Sequence, residues 1–365
     1  MNNRRFLRCL TLLLAFAAIS GCLGRRKKEE KEEKVLQVDS KDLKNTIITA
    51  HLEEKIVPGK NIIYCSTFQL AWNELRDDII KEDIRLEDEP PMVAILNKKL
   101  TTKADISQDC YIAMAGFGKD DILRKINQAL KAKFRHDAPT VTARLRPDSI
   151  YAYGFLLKNL RFATPFERLK KPVRFRCPSG PIDVRAFGIE EHSPRTRTRA
   201  KMAKQVRILA YDYNTDECVV RLASKSPHDE IVLARVDARQ TLMETIRSLQ
   251  RMIEGGQSQP LHHDDTLQIP KLDFDIRHSY SQLLGKFLLN AGFTTYYIYK
   301  ARQDVRFRLN EKGAMLKSQA EIQLESQGMN KLAFDGPFLL YLKEKQAKLP
   351  YLAIWVDNPE ILMKQ

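Results

Sequence analysis

The residues of this chain that could do chemistry are few and scattered. His262-His263-Asp264-Asp265 sets two imidazoles beside two carboxylates. Adjacent ligands after a Gly- and Ser-rich loop leave no further donor spaced to complete a coordination sphere, so no metal is expected. Gly116-Phe117-Gly118 lacks the third glycine of a dinucleotide fingerprint. No nucleophile–base triad and no nucleotide loop presents itself, so catalysis is the least supported class and no cofactor is expected. The densest charge is Arg195, Arg197, Arg199, Lys201, Lys204 and Arg207 within Ser193 to Arg207. Several cations on one face attract a phosphate or sulfate array, as in a polyanion or lipid headgroups. A solvated strand-and-turn face is the simpler reading of the same residues. No aromatic side chain interleaves them, which excludes a single-strand nucleic-acid platform.

A different kind of chemistry is latent between Phe307 and Phe338. An alternating strand ends in Asn310-Glu311-Lys312-Gly313, and the chain then alternates for twelve more residues. Ala314, Leu316, Ser318, Ala320, Ile322 and Leu324 fall on one face, and Met315, Lys317, Gln319, Glu321, Gln323 and Glu325 on the other. The first face is uncharged. The segment is thus fit to lie in a sheet, while Glu325-Ser326-Gln327-Gly328 reads as exposed loop.

The elements that position this segment begin well after the amino terminus. Arg4, Arg5 and Arg8 precede the apolar run Leu10 to Ala18, too short to span a bilayer, and Ile19-Ser20-Gly21-Cys22 matches a bacterial lipoprotein cleavage box. Residues 1–21 are therefore expected to leave as a signal peptide and Cys22 to carry acyl chains, which together anchor a protein stably. Gly24 to Lys34 is a run of charge without apolar periodicity, a solvated tether; with Cys22 it accounts for 22–37. The expected location is exported and membrane-anchored, on the periplasmic face or the cell surface. The formal charge of +15 falls to +12 once Arg4, Arg5 and Arg8 are gone, which keeps the chain soluble and favours acidic partners. Cys65, Cys110, Cys177 and Cys218 match neither a disulfide framework nor a metal knuckle, so buried thiols or at most one bridge are expected.

Residues 38–365 form the globular part. Helical spacing is read at Leu43, Ile47 and His51 (Asp39 to Lys55), at Ala71, Leu75 and Ile79 after a Ser66 or Thr67 cap, at Ile122, Ile126, Leu130 and Phe134 after Asp120, and at Leu242, Ile246, Leu249 and Ile253 before Gly255-Gly256. Strands are read at Asn61 to Cys65, Ile106 to Gly118, Ser149 to Phe166, Val206 to Tyr213, Glu217 to Leu222, Glu230 to Arg235, Gln268 to Phe274, Ile298 to Leu309, and in a final hairpin of Phe338 to Leu342 and Tyr351 to Asp357.

Five motifs, in order, resemble the serpin family. Asn61-Ile62-Ile63-Tyr64-Cys65-Ser66 resembles the entry to its central helix. Phe162 with Pro165-Phe166 resembles the exit of its long central strand, with Phe162 in place of a tryptophan and Gly154 in place of an asparagine. Gln268-Ile269-Pro270-Lys271-Leu272-Asp273-Phe274 resembles a "leucine-proline-lysine-phenylalanine" strand, followed by a helix at Tyr280 to Leu289. Leu309-Asn310-Glu311-Lys312-Gly313-Ala314 and Phe334-Asp335-Gly336-Pro337-Phe338 resemble the two ends of its reactive loop. The resemblance implies an α+β fold: a large central mixed sheet, further antiparallel sheets and surrounding helices. The short passage from Thr140 to Ile150 leaves no room for the helix that crosses the central sheet. The family's polar residues beneath the sheet fall on Cys65, Ser66, Thr67 and Phe68, and its cross-sheet histidine near Gln303, so that polar frame is expected to be lost.

What the resemblance implies for function is a protease inhibitor of serine or cysteine proteases that acts as a suicide substrate. A protease cuts an exposed loop at about 314–333, and the loop inserts as a new strand. Glu311, Gly313, Ala314, Leu316, Ser318 and Ala320 form the hinge side, and counting from both ends places the scissile region at Ser326, Gln327 and Gly328. The partner is then a target protease, with a monomer expected. The alternative is a non-inhibitory scaffold of the same fold that holds a protein or polyanion through Arg195, Arg197, Arg199, Lys201 and Lys204.

Overall fold

The β-branched and apolar runs of this chain pair into two large sheets whose facing residues form one core. The computed structural model describes residues 35–178, 180–190, 196–212, 214–262, 265–319 and 331–365. Up to the middle of the chain the elements are β1 (Leu36–Asp39), β2 (Thr46–Thr49), β3 (Asn61–Cys65), α1 (Thr67–Glu74), α2 (Pro91–Asn97), β4 (Tyr111–Phe117), α3 (Ile122–Phe134), β5 (Ile150–Leu156), β6 (Lys158–Arg161), β7 (Glu167–Arg168), β8 (Val173–Phe175), β9 (Ile182–Val184) and β10 (Ala186–Ile189). Then follow α4 (Arg197–Ala203), β11 (Val206–Tyr211), β12 (Cys218–Leu222), β13 (Asp229–Arg235), α5 (Leu242–Gly255), β14 (Gln259–Pro260), β15 (Thr266–Pro270), β16 (Leu272–Ser279), β17 (Arg302–Asn310), β18 (Gly313–Gln319), β19 (Lys331–Ala333), β20 (Phe338–Glu344) and β21 (Leu352–Val356).

An eight-stranded mixed sheet runs β14-β11-β12-β13-β20-β21-β3-β2, and a five-stranded mixed sheet runs β1-β16-β17-β18-β6. A four-stranded sheet, β19-β15-β10-β7, and the hairpins β4-β5 and β8-β9 complete an α+β architecture. Phe338, Leu340 and Leu342 of β20 face the same core as Phe274 and Ile276 of β16 and Phe307 and Leu309 of β17. Leu339 and Tyr341 point the other way, into a second cluster beneath Leu242, Met243, Ile246 and Leu249 of α5. A strand buried on both faces reads as a continuous apolar run, which is why β20 and β21 stand out so plainly in the sequence.

Several expected elements differ. Asp39 to Lys55 carries only a 3-10 turn at Ser40–Asp42 and no α-helix: β1, which ends at Asp39, pairs in parallel with β16, and β2 with β3. The β-branched Thr46-Ile47-Ile48-Thr49 gains more from the sheet than from a weak 3.6-residue spacing. Asp120 does not cap α3, which starts after Asp121 at φ 59°. The helix expected over Tyr280 to Leu289 is only a 3-10 turn, Ser281–Leu283, leading into a two-stranded ladder with Tyr296 to Ile298. Arg197–Ala203 is helix α4 rather than strand and turn, capped by the Thr196 hydroxyl, which accepts from Arg199 N. The strand read over Gln268 to Phe274 breaks at Lys271 into β15 and β16, which lie in different sheets. Residues 138–149 carry neither helix nor strand. Cys65 and Cys218 are buried thiols, and burial pushes Cys218 up to about 11. Among the described residues no helix is long and apolar enough to cross a membrane.

Candidate functional site: the hinge and the slot below it

The expected hinge sits in the tight connection between β17 and β18. Asn310 pairs with Gly313, Leu309 with Ala314 and Arg308 with Met315 across this hairpin. On its other side β18 meets β6, with Gly313 opposite Arg161, Ala314 opposite Leu160, Met315 opposite Asn159 and Leu316 opposite Lys158. The segment expected to begin an exposed loop therefore starts as a strand wedged between β17 and β6. Ala314 is 1% exposed. The physical reason is its uncharged face: nothing at Gly313 or Ala314 resists burial, and the ladder satisfies the backbone on both sides. Gly313 has φ 141°, and a Cβ there would come within 2.4 Å of Leu160 O. Only glycine fits this turn at this closeness.

Glu311 locks the connection. Its side chain is buried at 4% exposure, with Oε1 accepting from Arg168 Nε at 2.6 Å and Oε2 2.8 Å from Lys271 Nζ. Burial alone would raise its pKa, but the two cations overcome that and hold the carboxyl below its ordinary value. The backbone adds two ties: Phe162 N donates to Lys312 O and Phe166 N to Glu311 O, at 2.9 and 2.8 Å. Phe162, in the position expected of a tryptophan, packs edge-on against Phe166 with ring centroids 4.8 Å apart.

Below the hinge the sheet is open among the described residues. β18 covers β17 only at Arg308–Asn310, and among the described residues the rest of that edge, Arg302 to Phe307, has no strand partner. Across from it, β5 pairs with β4 alone among the described residues. Burial raises the pKa values of Tyr151 and Tyr153 on β5, with smaller effects from Arg302 and Asp304 on β17. Beneath this slot lies the start of α1. Gln303 of β17 donates through Nε2 to Cys65 O (2.9 Å) and to Thr67 Oγ1 (2.7 Å), and Tyr280 donates its hydroxyl to Gln303 Oε1 (2.7 Å). From the β5 side, Gly154 approaches so closely that a Cβ would lie 2.3 Å from Thr67 O. An asparagine could not stand there. The polar frame expected to be lost is thus rebuilt from Gln303, Thr67 and Tyr280, while Ser66 Oγ is buried without a partner.

A second buried group escaped the sequence reading. Lys158 on β6, 1% exposed, contacts Asp229 Oδ1 at 2.9 Å and Glu344 Oε1 at 2.5 Å. Tyr351 and Ser226 hydroxyls donate to Asp229, and Ser107 donates through its N and Oγ to Glu344. Burial alone would lower the Lys158 pKa, but the facing carboxylates raise it overall. The network fastens the five-stranded sheet to the eight-stranded one, directly opposite Leu316 in register. Only the lone lysine in an otherwise strand-like run hinted at it.

The remaining expected residues separate. Leu316 and Ser318 lie in the backbone of β18, whereas Ala320, Ser326, Gln327, Gly328, Cys22 and Arg195 lie outside the described residues. The basic cluster does not form one anion-facing surface. Arg199 is 3% exposed, and its guanidinium donates to Glu190 O and Asp265 O, while Arg197 and Lys201 are exposed and Lys204 is half-buried. A helix about two turns long turns Arg199 inward because the 100° step per residue sets it apart from Arg197 and Lys201. Arg199 is therefore a structural residue and not a polyanion contact.

No family model matches the chain, and no curated protein sequence is similar to it. Among solved structures, 289 chains are similar. Human thyroxine-binding globulin in complex with its hormone is 13% identical, with a TM-score of 0.48 over 82% of this chain and 92% of that one. The mouse protein-Z dependent protease inhibitor is 10% identical, with a TM-score of 0.48 over 82% and 91%. A serpin from the trematode Schistosoma haematobium is 12% identical, with a TM-score of 0.48 over 82% and 94%.

Proposed function

We propose that this protein is a serpin-like inhibitor of serine or cysteine proteases, displayed on a membrane through an acylated Cys22, and not itself a catalyst. The observation that carries this reading is the slot. A strand already enters the sheet at Gly313, and among the described residues the edges of β17 and β5 below it have no strand partner between them. A protease that attacks the loop near Ser326, Gln327 or Gly328 forms an acyl bond through its nucleophile and releases the downstream chain. The freed hinge side then continues β18 downward between β17 and β5. Successive inserted residues close ladder hydrogen bonds alternately with β17 and with β5. Burying the Leu316, Ile322 and Leu324 side chains on the inward face is worth roughly 5–9 kcal/mol, and that face carries no charge to desolvate.

The test is to nick the intact chain with a non-specific protease and melt both forms, then incubate the intact chain with a panel of serine and cysteine proteases. Insertion predicts a large rise in melting temperature on nicking and a covalent complex that survives denaturing electrophoresis. A nicked form that melts at or below the intact form, with no covalent complex, assigns the protein to the scaffold class instead.

A further inference from the structure

Exposed large apolar side chains are concentrated in one place. Of the six among the described residues, five (Leu284, Phe287, Leu289, Tyr297 and Tyr299) belong to the ladder that follows β16, and Tyr299 is 83% exposed. Phe287 and Tyr297 stand opposite one another with ring centroids 5.5 Å apart. Leu289 and Tyr299 lie two residues on, and the period of two returns them to the same outer side. The inner side, through Leu288 and Ile298, packs on Trp72, Tyr280 and Leu283.

The same ladder has one open edge. Leu288 N donates to Tyr296 O, Ile298 N to Lys286 O, and Gly285 N to Ile298 O. The opposite edge of the first strand is closed, because Leu289 N donates to Arg85 O and Glu87 N to Phe287 O. With Tyr296 and Ile298 turned inward, the backbone groups of Tyr297 and Tyr299 turn outward, and among the described residues neither N–H has a partner. No charged side chain guards the edge from Tyr296 to Tyr299; Lys300 stands only at its end. Proteins usually blunt such an edge with charge, proline or a bulge.

We propose that this edge pairs with the same edge of a second copy of the chain, in place of the monomer expected from sequence. A two-fold axis through Ile298 sets Tyr297 of one copy against Tyr299 of the other, and the reverse. Both pairs then exchange their outward N–H and C=O groups, four hydrogen bonds in all. Phe287, Leu289, Tyr297 and Tyr299 of the two copies join into one covered apolar strip. Lys300 comes opposite Tyr296 of the other copy, so no like charges meet. A second copy fits better than a bilayer, because lipid leaves an open strand edge unsatisfied, whereas self-pairing satisfies edge and apolar face together.

The experiment uses the full lipidated chain in mild detergent. Tyr297→Cys and Tyr299→Cys are made separately, then oxidised gently alone and as a mixture. In the proposed register the two positions form a hydrogen-bonded pair with Cα atoms about 5.5 Å apart, inside the disulfide range of roughly 4.4–6.8 Å. The mixture should yield several-fold more covalent dimer than either variant alone, and Tyr299→Lys should abolish the dimer seen by chemical crosslinking of the wild-type chain. Equal crosslinking of single variants and mixture, or none in any sample, overturns the proposal. So does wild-type crosslinking that Tyr299→Lys leaves unchanged. Both tyrosines are exposed, so the fold does not depend on them, and melting curves of the variants check this.

Discussion

Replacing Lys158 by methionine tests whether the buried charge network holds the two large sheets together. Methionine keeps most of the side-chain volume and removes only the cation. Asp229 and Glu344 are then left facing one another, with side-chain exposures of 3% and 14%. Breaking one partner out of a buried pair typically costs about 3–5 kcal/mol. Here the hydroxyls of Ser226 and Tyr351 still solvate Asp229, and Ser107 still holds Glu344, so the lower end, about 3 kcal/mol, is expected. At about 2–4 °C per kcal/mol for a large domain, the melting temperature falls roughly 6–12 °C. The assay is urea unfolding of wild type, Lys158→Met, and the triple variant with Asp229→Asn and Glu344→Gln. The triple variant should recover most of the loss, since no ionised group remains to be compensated. The single variant's deficit should also shrink as pH is lowered, because an unpaired buried carboxylate takes up a proton. A deficit under about 1 kcal/mol, or one of the same size at every pH, would refute the reasoning and reduce Lys158 to a packing residue.

Gly313→Ala meets both a left-handed φ and a backbone oxygen 2.4 Å from the new methyl; it should cost roughly 2–5 kcal/mol, read as a lower urea midpoint with unchanged slope. Glu311 has a depressed folded-state pKa, so its contribution is complete above the ordinary carboxylate pKa of about 4.3 and is lost as pH falls through the folded value. Glu311→Gln should therefore flatten the acid limb of the stability–pH curve below about pH 4.5, and an unchanged limb would place the acid sensitivity elsewhere. Gln303→Leu leaves the buried Tyr280 hydroxyl without its acceptor and removes the donor to the half-buried Thr67 hydroxyl, an expected loss of about 1–3 kcal/mol in the same unfolding assay. Arg199→Ala should destabilise by a similar amount, about 1–3 kcal/mol, whereas Lys201→Ala, on the exposed side of α4, should leave the midpoint within about 0.5 kcal/mol.

What the sequence made legible follows from how far apart the cooperating residues lie. Helices α3 and α5 declare themselves because Ile122, Ile126, Leu130 and Phe134, or Leu242, Ile246 and Leu249, repeat within a few residues and bury one face. The hairpin of β20 and β21 is equally plain, since both faces of each strand are covered. By contrast, β1 is a strand only because β16, more than 230 residues later, lies beside it, and four residues of Leu-Gln-Val-Asp carry too little pattern of their own. Lys158 finds its carboxylates 71 and 186 residues away. Gln303 finds Thr67 across 236 residues. No local spacing encodes such pairs.

The hinge shows both sides of this limit at once. Alternation predicted that Ala314 to Glu325 could be a strand with an uncharged face, and this much is a local property. Whether the strand lies outside or inside the sheet is decided by its neighbours: Leu160 and Arg161 at the top of β6, and the edges of β17 and β5 further down, which have no partner between them among the described residues. The seated part is short, because β6 spans only Lys158–Arg161 before the chain turns at Leu157 into β5, which belongs to another hairpin. To continue, β18 displaces nothing paired on β17 among the described residues, yet it must pass over Gln303 and the start of α1 while Leu316 stays opposite Lys158. The ladder gained by insertion therefore competes with two packed features rather than with another strand. Small side chains at 316 should ease that passage. Leu316→Ala should accordingly raise the fraction of protease trapped as covalent complex relative to the fraction that merely cuts the loop; a lower trapped fraction would show that the lost apolar burial outweighs the relief.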